Sequence, residues 1–379
     1  MKVTKAQIVK GLGLMSAVAG KVVNQPVLET VLIIANDKEL TLIASDSEMQ
    51  LKMKVGCVAS DGWRNCSFNG KKLHDVFKAM PDDGEVNISE LTDDMKSVVK
   101  AGKSKFTLRG FDHKDFPVMA FTDKKFDSFT IKETDLKRLI KLCMTCVGNG
   151  DIRAYLNGVY FNVSNGLLNV VGTDGHRMCF SHVELEDKSL NCSAIIHRKS
   201  MNELMKVLSD SDNLVTVSIS ENMAKFELGT IEFVTRLLEG KFPDYKRVIP
   251  DTKDFGVEIV ADVNTLKQSF ARVGIVSEGG KHVRLDTTSA EGVLISSELL
   301  GNASKDDVLD VLDCEIKQSG TGTTGLFNND YLAEIVSSVS TDKVKLQLKD
   351  ASTAMVIEFV NGSNPIELAY RAVVMPVRG

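Results

Sequence analysis

The sequence predicts an α+β protein built from three copies of one domain, each with two helices packed on antiparallel sheets. Three observations carry that reading. Two separate helical landmarks each recur three times at nearly one spacing. Runs of alternating apolar and polar residues lie between them, as half-buried strands require. The chain has 379 residues, more than one hydrophobic core serves.

Copy 1 opens with "KVTKAQIVKGLGLMSAV" (2–18), a short strand, a polar turn and a helix anchored by Ile8. "LETVLIIANDKELTLIASD" (28–46) follows as strands joined at Asn36-Asp37, a pair suited to a tight hairpin turn. "FNGKKLHDVFKAM" (68–80) supplies the second helix, anchored by Leu73. After a proline-bearing connection (112–121), copy 2 repeats the plan with "FTIKETDLKRLIKLCMTCV" (129–147), anchored by Leu136. Its strands "GVYFNVSNGLLNVVGTD" (158–174) turn at Asn165-Gly166, and "IHRKSMNELMKVL" (196–208) carries Met201. A second connection, "FPDYKRVIPDTKDF" (242–255), leads to copy 3. There "VEIVADVNTLKQSFARVGIV" (257–276) and "FNNDYLAEIVSSV" (327–339) are anchored by Leu266 and Leu332, and "KVKLQLKDASTAMVIEFV" (343–360) alternates as strands. The first anchors lie 128 and 130 residues apart and the second 128 and 131, a repeat that points to duplication. The expected domains are 1–122, 123–252 and 253–379.

Hydrophobic residues at 43% and charged residues at 26% describe an ordinary globular chain, which excludes a disordered one. No run of 18 apolar residues exists to span a membrane, and the N-terminus lacks the apolar stretch of a secretory signal, so a cytoplasmic location is expected. Seven scattered cysteines suit reduced, buried thiols. Cys143 and Cys146 form the tightest pair, but no second pair follows to complete a zinc site, and their expected place inside an amphipathic helix assigns them to the core. No metal or cofactor is expected.

Net charge is −5, which by itself disfavours a polyanionic partner. The six helices, with Lys21 just beyond the first, hold fourteen basic residues (Lys5, Lys10, Lys21, Lys71, Lys72, Lys78, Lys137, Arg138, Lys141, Arg198, Lys199, Lys206, Lys267 and Arg272) and six acids, a net of +8. The remainder therefore carries −13. Basic helices that share one surface can hold a polyanion inside an acidic protein. Aromatic content of 6% is low for base stacking, leaving contact with the phosphate backbone, which reads no sequence.

"TDGHRM" (173–178) gathers a carboxylate, a histidine and an arginine, and so invites a catalytic reading with Asp174, His176 and Cys179 as a hydrolase set. Cys179 sits at an odd spacing from His176 on an extended segment and points away. No nucleophile elbow, phosphate loop or HExxH accompanies it. A tight turn at Gly175 is the competing structural reading.

"YLNGVYF" (155–161), "VGTDGHRM" (171–178), "LLEGKFPDYKRVIP" (237–250) and "VVMPVRG" (373–379) together resemble the bacterial sliding clamp family, the beta subunit of DNA polymerase III, over the whole chain. The resemblance implies a non-enzymatic DNA clamp fold that closes as a head-to-tail homodimer ring around duplex DNA, without sequence specificity, and tethers the replicative polymerase. Twelve helices of about 10 Å width enclose an opening of about 28 Å, wider than a B-form duplex, whereas six would leave about 9 Å. Other implied partners are the clamp loader and proteins carrying a clamp-binding motif. Carried over by motif, the peptide pocket comprises Leu156, Thr173, Gly175, His176, Arg177, Met178, Pro243, Arg247, Val248, Ala354, Val373, Met375, Pro376, Val377 and Arg378. The expected DNA-facing residues are Lys10, Lys21, Gln25, Lys72, Lys78, Lys137, Arg138, Lys141, Arg153, Tyr155, Arg198, Lys199, Lys206, Lys267 and Arg272. The dimer contact is expected to set Lys103, Lys105, Phe106 and Leu108 of one copy against Ile275, Val276, Asp306 and Asp307 of the next. Three positions depart from the family pattern: Met178 replaces a leucine, Gly379 a terminal hydrophobic residue and Gln25 an arginine near the DNA.

Overall fold

The computed structural model describes residues 1–20, 25–60, 63–82, 85–123, 125–276, 282–298 and 309–377. In copy 1, strand Lys2–Thr4 leads into helix α1 (Lys5–Val18), and strand Cys66–Asn69 into α2 (Gly70–Lys78). In copy 2, Asp127–Lys132 leads into α3 (Glu133–Cys143), and Cys192–His197 into α4 (Arg198–Val207). In copy 3, Val257–Asp262 leads into α5 (Val263–Val276), and Thr324–Asn328 into α6 (Asn329–Ser337). All six repeat anchors, Ile8, Leu73, Leu136, Met201, Leu266 and Leu332, have 0% exposure. Local chemistry starts the helices. Thr4 and Gln7 form a reciprocal capping box on α1, while Asn69 and Asn328 accept N–H bonds at α2 and α6. Such caps are worth about 1 kcal/mol each.

Two features were not foreseen. A single-turn helix α7 (Pro365–Leu368) starts at Asn364, whose side chain accepts two backbone N–H groups, with Pro365 in the first turn. It presents buried Glu367, which pairs with Arg138 and accepts from the Ser340 hydroxyl at 2.7 Å. The cysteine pair is not inside one helix: Cys143 ends α3, and Met144–Cys146 is a separate 3₁₀ turn. Both thiols are fully buried, and desolvation pushes each above the ordinary thiol range.

The chain divides into two compact units, Met1–Thr134 with Lys199–Leu237 and Asp135–Arg198 with Leu238–Gly379. These cut across the repeats because the strands do. In the first unit a twelve-stranded sheet is carried from copy 1 into copy 2 by antiparallel pairing of Met49–Gly56 with Ile231–Arg236, Met53 lying opposite Ile231. In the second a nine-stranded sheet is carried from copy 2 into copy 3, where Arg177–Glu184 pairs with Arg371–Val374 and Phe180 lies opposite Arg371. A four-stranded sheet, ordered Leu309–Leu312, Val293–Glu298, His282–Asp286 and Thr324–Asn328, completes the second unit's described strands. The Asn165-Gly166 turn has both residues at positive φ, 53° and 74°, as a two-residue type I′ hairpin requires.

Candidate functional site

The segment 173–178 is organised as a turn by its own carboxylate. Asp174 Oδ1 accepts the backbone N–H groups of His176 and Arg177, both at 2.9 Å, and Oδ2 accepts from Arg177 Nε at 3.1 Å. The Thr173 hydroxyl donates to the Arg177 carbonyl at 2.7 Å and accepts from Gly175 N–H at 3.1 Å. Gly175 has φ +88°, and a Cβ there would meet the Arg153 guanidinium at 3.1 Å. The Thr173 and Asp174 side chains are thus spent on shape. His176 is exposed, whereas Cys179 is fully buried with its thiol against the Cys143 carbonyl at 3.4 Å. The hydrolase set is not assembled. Among the described residues no group of three or more His, Cys, Asp or Glu is placed to hold a metal ion.

The turn walls an open pocket of about 190 Å³. Ten of the expected residues line it: Leu156, Thr173, Gly175, His176, Arg177, Met178, Pro243, Val248, Val373 and Met375. Met178, Val373, Phe242 and Tyr245 belong to one buried cluster that also contains Ala354, so Ala354 supports the floor from beneath. Tyr160 stacks on Phe242 at 4.4 Å between ring centroids, and Tyr245 meets Tyr160 edge-on at 6.4 Å. This aromatic layer fixes the floor. Met375 is 43% exposed and Val248 48%, so two apolar side chains at the rim face water. The Met375 N–H donates to the His176 carbonyl at 2.9 Å, which ties the rim to the turn. Arg247 does not line the pocket; it is exposed and paired with Asp244 at 2.9 Å. Pro376 and Val377 do not line it either, and Val377 N–H donates to the Leu326 carbonyl at 2.7 Å. Arg378 lies outside the described residues.

The pocket belongs to a recognisable whole. Residues 1–120, 130–244 and 246–378 match, in order, the family models of the N-terminal, central and C-terminal domains of the DNA polymerase III beta subunit. The chain belongs to that family. The beta sliding clamps of Proteus mirabilis and Escherichia coli K12 are 29% and 28% identical to it, each over 99% of both chains. The crystal structure of a Pseudomonas aeruginosa sliding clamp bound to griselimycin superimposes with a TM-score of 0.90 at 27% identity, covering 100% of this chain and 99% of that one. The Bacillus subtilis clamp shares the fold, with a TM-score of 0.88 at 22% identity and coverage of 100% and 98%. The protein is a sliding clamp of DNA replication, and no helix among its described residues is long and apolar enough to cross a membrane.

The expected DNA-facing residues separate into two groups. Lys10, Lys72, Lys78 and Lys141 are exposed and Lys267 half-buried, none with an ion pair among the described residues; Gln25 is exposed and Lys137 half-buried. Others are held within the protein. Arg138 pairs with Glu367 and donates to the Ser338 carbonyl at 2.9 Å. Arg198 donates to the Val147 carbonyl at 2.6 Å, Arg272 pairs with Asp310 at 2.6 Å and Lys206 with Glu203 at 2.6 Å, while Lys199 pairs with Asp46. Arg153 and Tyr155, expected to face DNA, line the apolar pocket instead, beside the expected Leu156. Phe242 and Tyr245 also line it and were missed, although both fall within the quoted 237–250 motif. Lys21 lies outside the described residues.

At the expected dimer contact, Phe106, Lys103 and Lys105 are exposed, Leu108 is half-buried and Ile275 is 78% exposed. Strand Ser104–Asp112 pairs along 104–109 with Lys96–Ala101 on one side, while its other neighbour Cys66–Asn69 reaches only 110–112. Leu309–Leu312 is an edge strand bearing exposed Leu309 and Val311. Val276 ends α5, and Asp306 and Asp307 lie outside the described residues.

Proposed function

We propose that this clamp works as a head-to-tail homodimer ring of three-domain chains, divided at 1–122, 123–252 and 253–379, that encloses duplex DNA without reading its sequence. The pocket walled by residues 173–178 receives a short apolar segment of the replicative polymerase, and in turn of the clamp loader and other proteins with the same motif. No step of covalent chemistry is assigned to the protein, and its place of work is the cytoplasm. The observation that carries the reading is the open apolar pocket with Met375 and Val248 exposed at its rim. At about 190 Å³ it suits two or three side chains rather than a whole small molecule. The second copy is taken up by edges: Ser104–Arg109 offers an edge unpaired among the described residues, and Leu309–Leu312 offers another, each with exposed apolar side chains.

The test is topological. Protein loaded on nicked circular DNA survives moderate salt and is lost rapidly once the circle is cut, because a ring holds by enclosure. A binder that uses only basic contacts loses affinity steeply with salt on both substrates. Equal loss from circular and linear DNA refutes the ring.

A further inference from the structure

Arg177 borders two spaces. It lines the apolar pocket, and it also lines a separate open cleft of about 380 Å³. The cleft is cationic: Lys141, Arg177 and Arg198 line it with one carboxylate, Glu334, beside Thr145 and Ser337. Arg198 has committed a donor to the Val147 carbonyl at 2.6 Å, and Lys141 makes no ion pair among the described residues.

The guanidinium of Arg177 is only 9% exposed and has two unequal carboxylate partners. Asp174, 16% exposed, is fixed by the two backbone N–H groups it also accepts. Glu334 is 55% exposed and pairs with Nη1 at 2.6 Å. Tyr331 covers the guanidinium, its ring centroid 4.1 Å from Cζ. A buried cation whose second partner is a largely exposed carboxylate gains from an acceptor that spans its fork, as a tetrahedral phosphate can.

We propose that this cleft is a phosphate site and that Arg177 passes its occupancy to the peptide pocket, an inference that rests on the pocket reading above. A phosphate held by Lys141 and Arg198 displaces the exposed Glu334 as the second partner of Arg177. The guanidinium then shifts toward the cleft and its Nε bond to Asp174 loosens. That bond braces the 173–178 turn, so phosphate and peptide oppose each other, each weakening the other by the same factor. The phosphate is either a backbone diester of DNA or a free phosphate ion, and the two share the same chemistry here.

The experiment is a fluorescence-anisotropy titration of the full chain with a peptide carrying a glutamine followed by spaced leucine and phenylalanine. It is run in inorganic phosphate and in chloride at matched ionic strength, with a parallel arm in which a short DNA duplex replaces phosphate. The peptide binds about fivefold more weakly in at least one of the two phosphate arms. Response to the duplex alone assigns the site to diesters, and response to inorganic phosphate alone assigns it to the free ion. Lys141→Gln abolishes the ratio between buffers, and Glu334→Gln moves the response to lower phosphate concentration because the competing carboxylate is gone. Equal affinity in all three conditions, or an undiminished ratio in Lys141→Gln, overturns the proposal and leaves the pocket reading intact. Failure of the peptide to bind wild type in chloride overturns both.

Discussion

Truncating Met375 to alanine separates a binding side chain from a folding one. Fully burying a methionine is worth about 1.5–3 kcal/mol. In the free protein 43% of Met375 still faces water, and a bound peptide would cover that fraction. The share available to binding is therefore about 0.6–1.3 kcal/mol, which corresponds to a three- to ninefold weaker peptide. By the same reckoning the part already covered contributes about 0.9–1.7 kcal/mol to the fold, so Met375→Ala lowers thermal stability only modestly. Leu156 is the counterpart: it lines the same pocket but is only 2% exposed, so Leu156→Ala removes core packing and costs about 2–5 kcal/mol of stability. Peptide titration by anisotropy and thermal unfolding followed by circular dichroism, on both variants, give the four values needed. The reasoning is refuted if Met375→Ala binds the peptide like wild type, or if it melts as early as Leu156→Ala.

Gly175→Ala places a side chain at φ +88° beside the Arg153 guanidinium and should cost about 1–2 kcal/mol, read as a lower urea midpoint together with weaker peptide binding. An unchanged midpoint would show that the turn relaxes freely. Ile275 is 78% exposed, so Ile275→Ala combined with Val276→Ala should yield monomers at low micromolar concentration in sedimentation velocity; a retained dimer mass rejects this contact. Arg153 donates to both oxygens of Asp151, at 3.0 and 2.9 Å, and holds that carboxyl down to about 2. A carboxylate depressed below its unfolded value of about 3.9 stabilises the fold fully above that value and loses the contribution as pH falls through the folded one, so the pair should persist from neutral pH to about pH 2. Carbon-13 titration of Asp151 checks it, and a midpoint at the unfolded value contradicts the pairing.

The three-fold plan was legible because duplication preserves the residues that cannot change cheaply, and the six anchors are all at 0% exposure. The polar turn read ahead of the first helix holds its cap at Thr4, whereas the caps at Asn69 and Asn328 were not read from the sequence. Pairing between copies was not legible. Met53 finds Ile231 and Phe180 finds Arg371 across long separations, and alternation marks a strand without naming its neighbour. The pocket was legible by motif along 173–178. Its aromatic floor was not, since Tyr160 stacks on Phe242 from a strand far away in sequence. Charge misled: Arg138 reads as a solvated cation on a basic helix, yet it is bound to Glu367 on a turn that no pattern announced.

The strand Arg371–Val374 lies inside its sheet, between Met355–Val360 and Arg177–Glu184. Phe180 leaves the ribosome 191 residues before Arg371, the residue it must face. At 5–20 residues per second that is a wait of about 10–40 s. Throughout this interval Arg177–Glu184 has an open edge on a nascent chain, a template for mispairing that a chaperone or fast downstream synthesis must cover. Val373 and Met375 arrive in the same closing event. An incompletely synthesised chain therefore has no finished pocket, and on the proposed reading it cannot draw a polymerase away from clamps already at work.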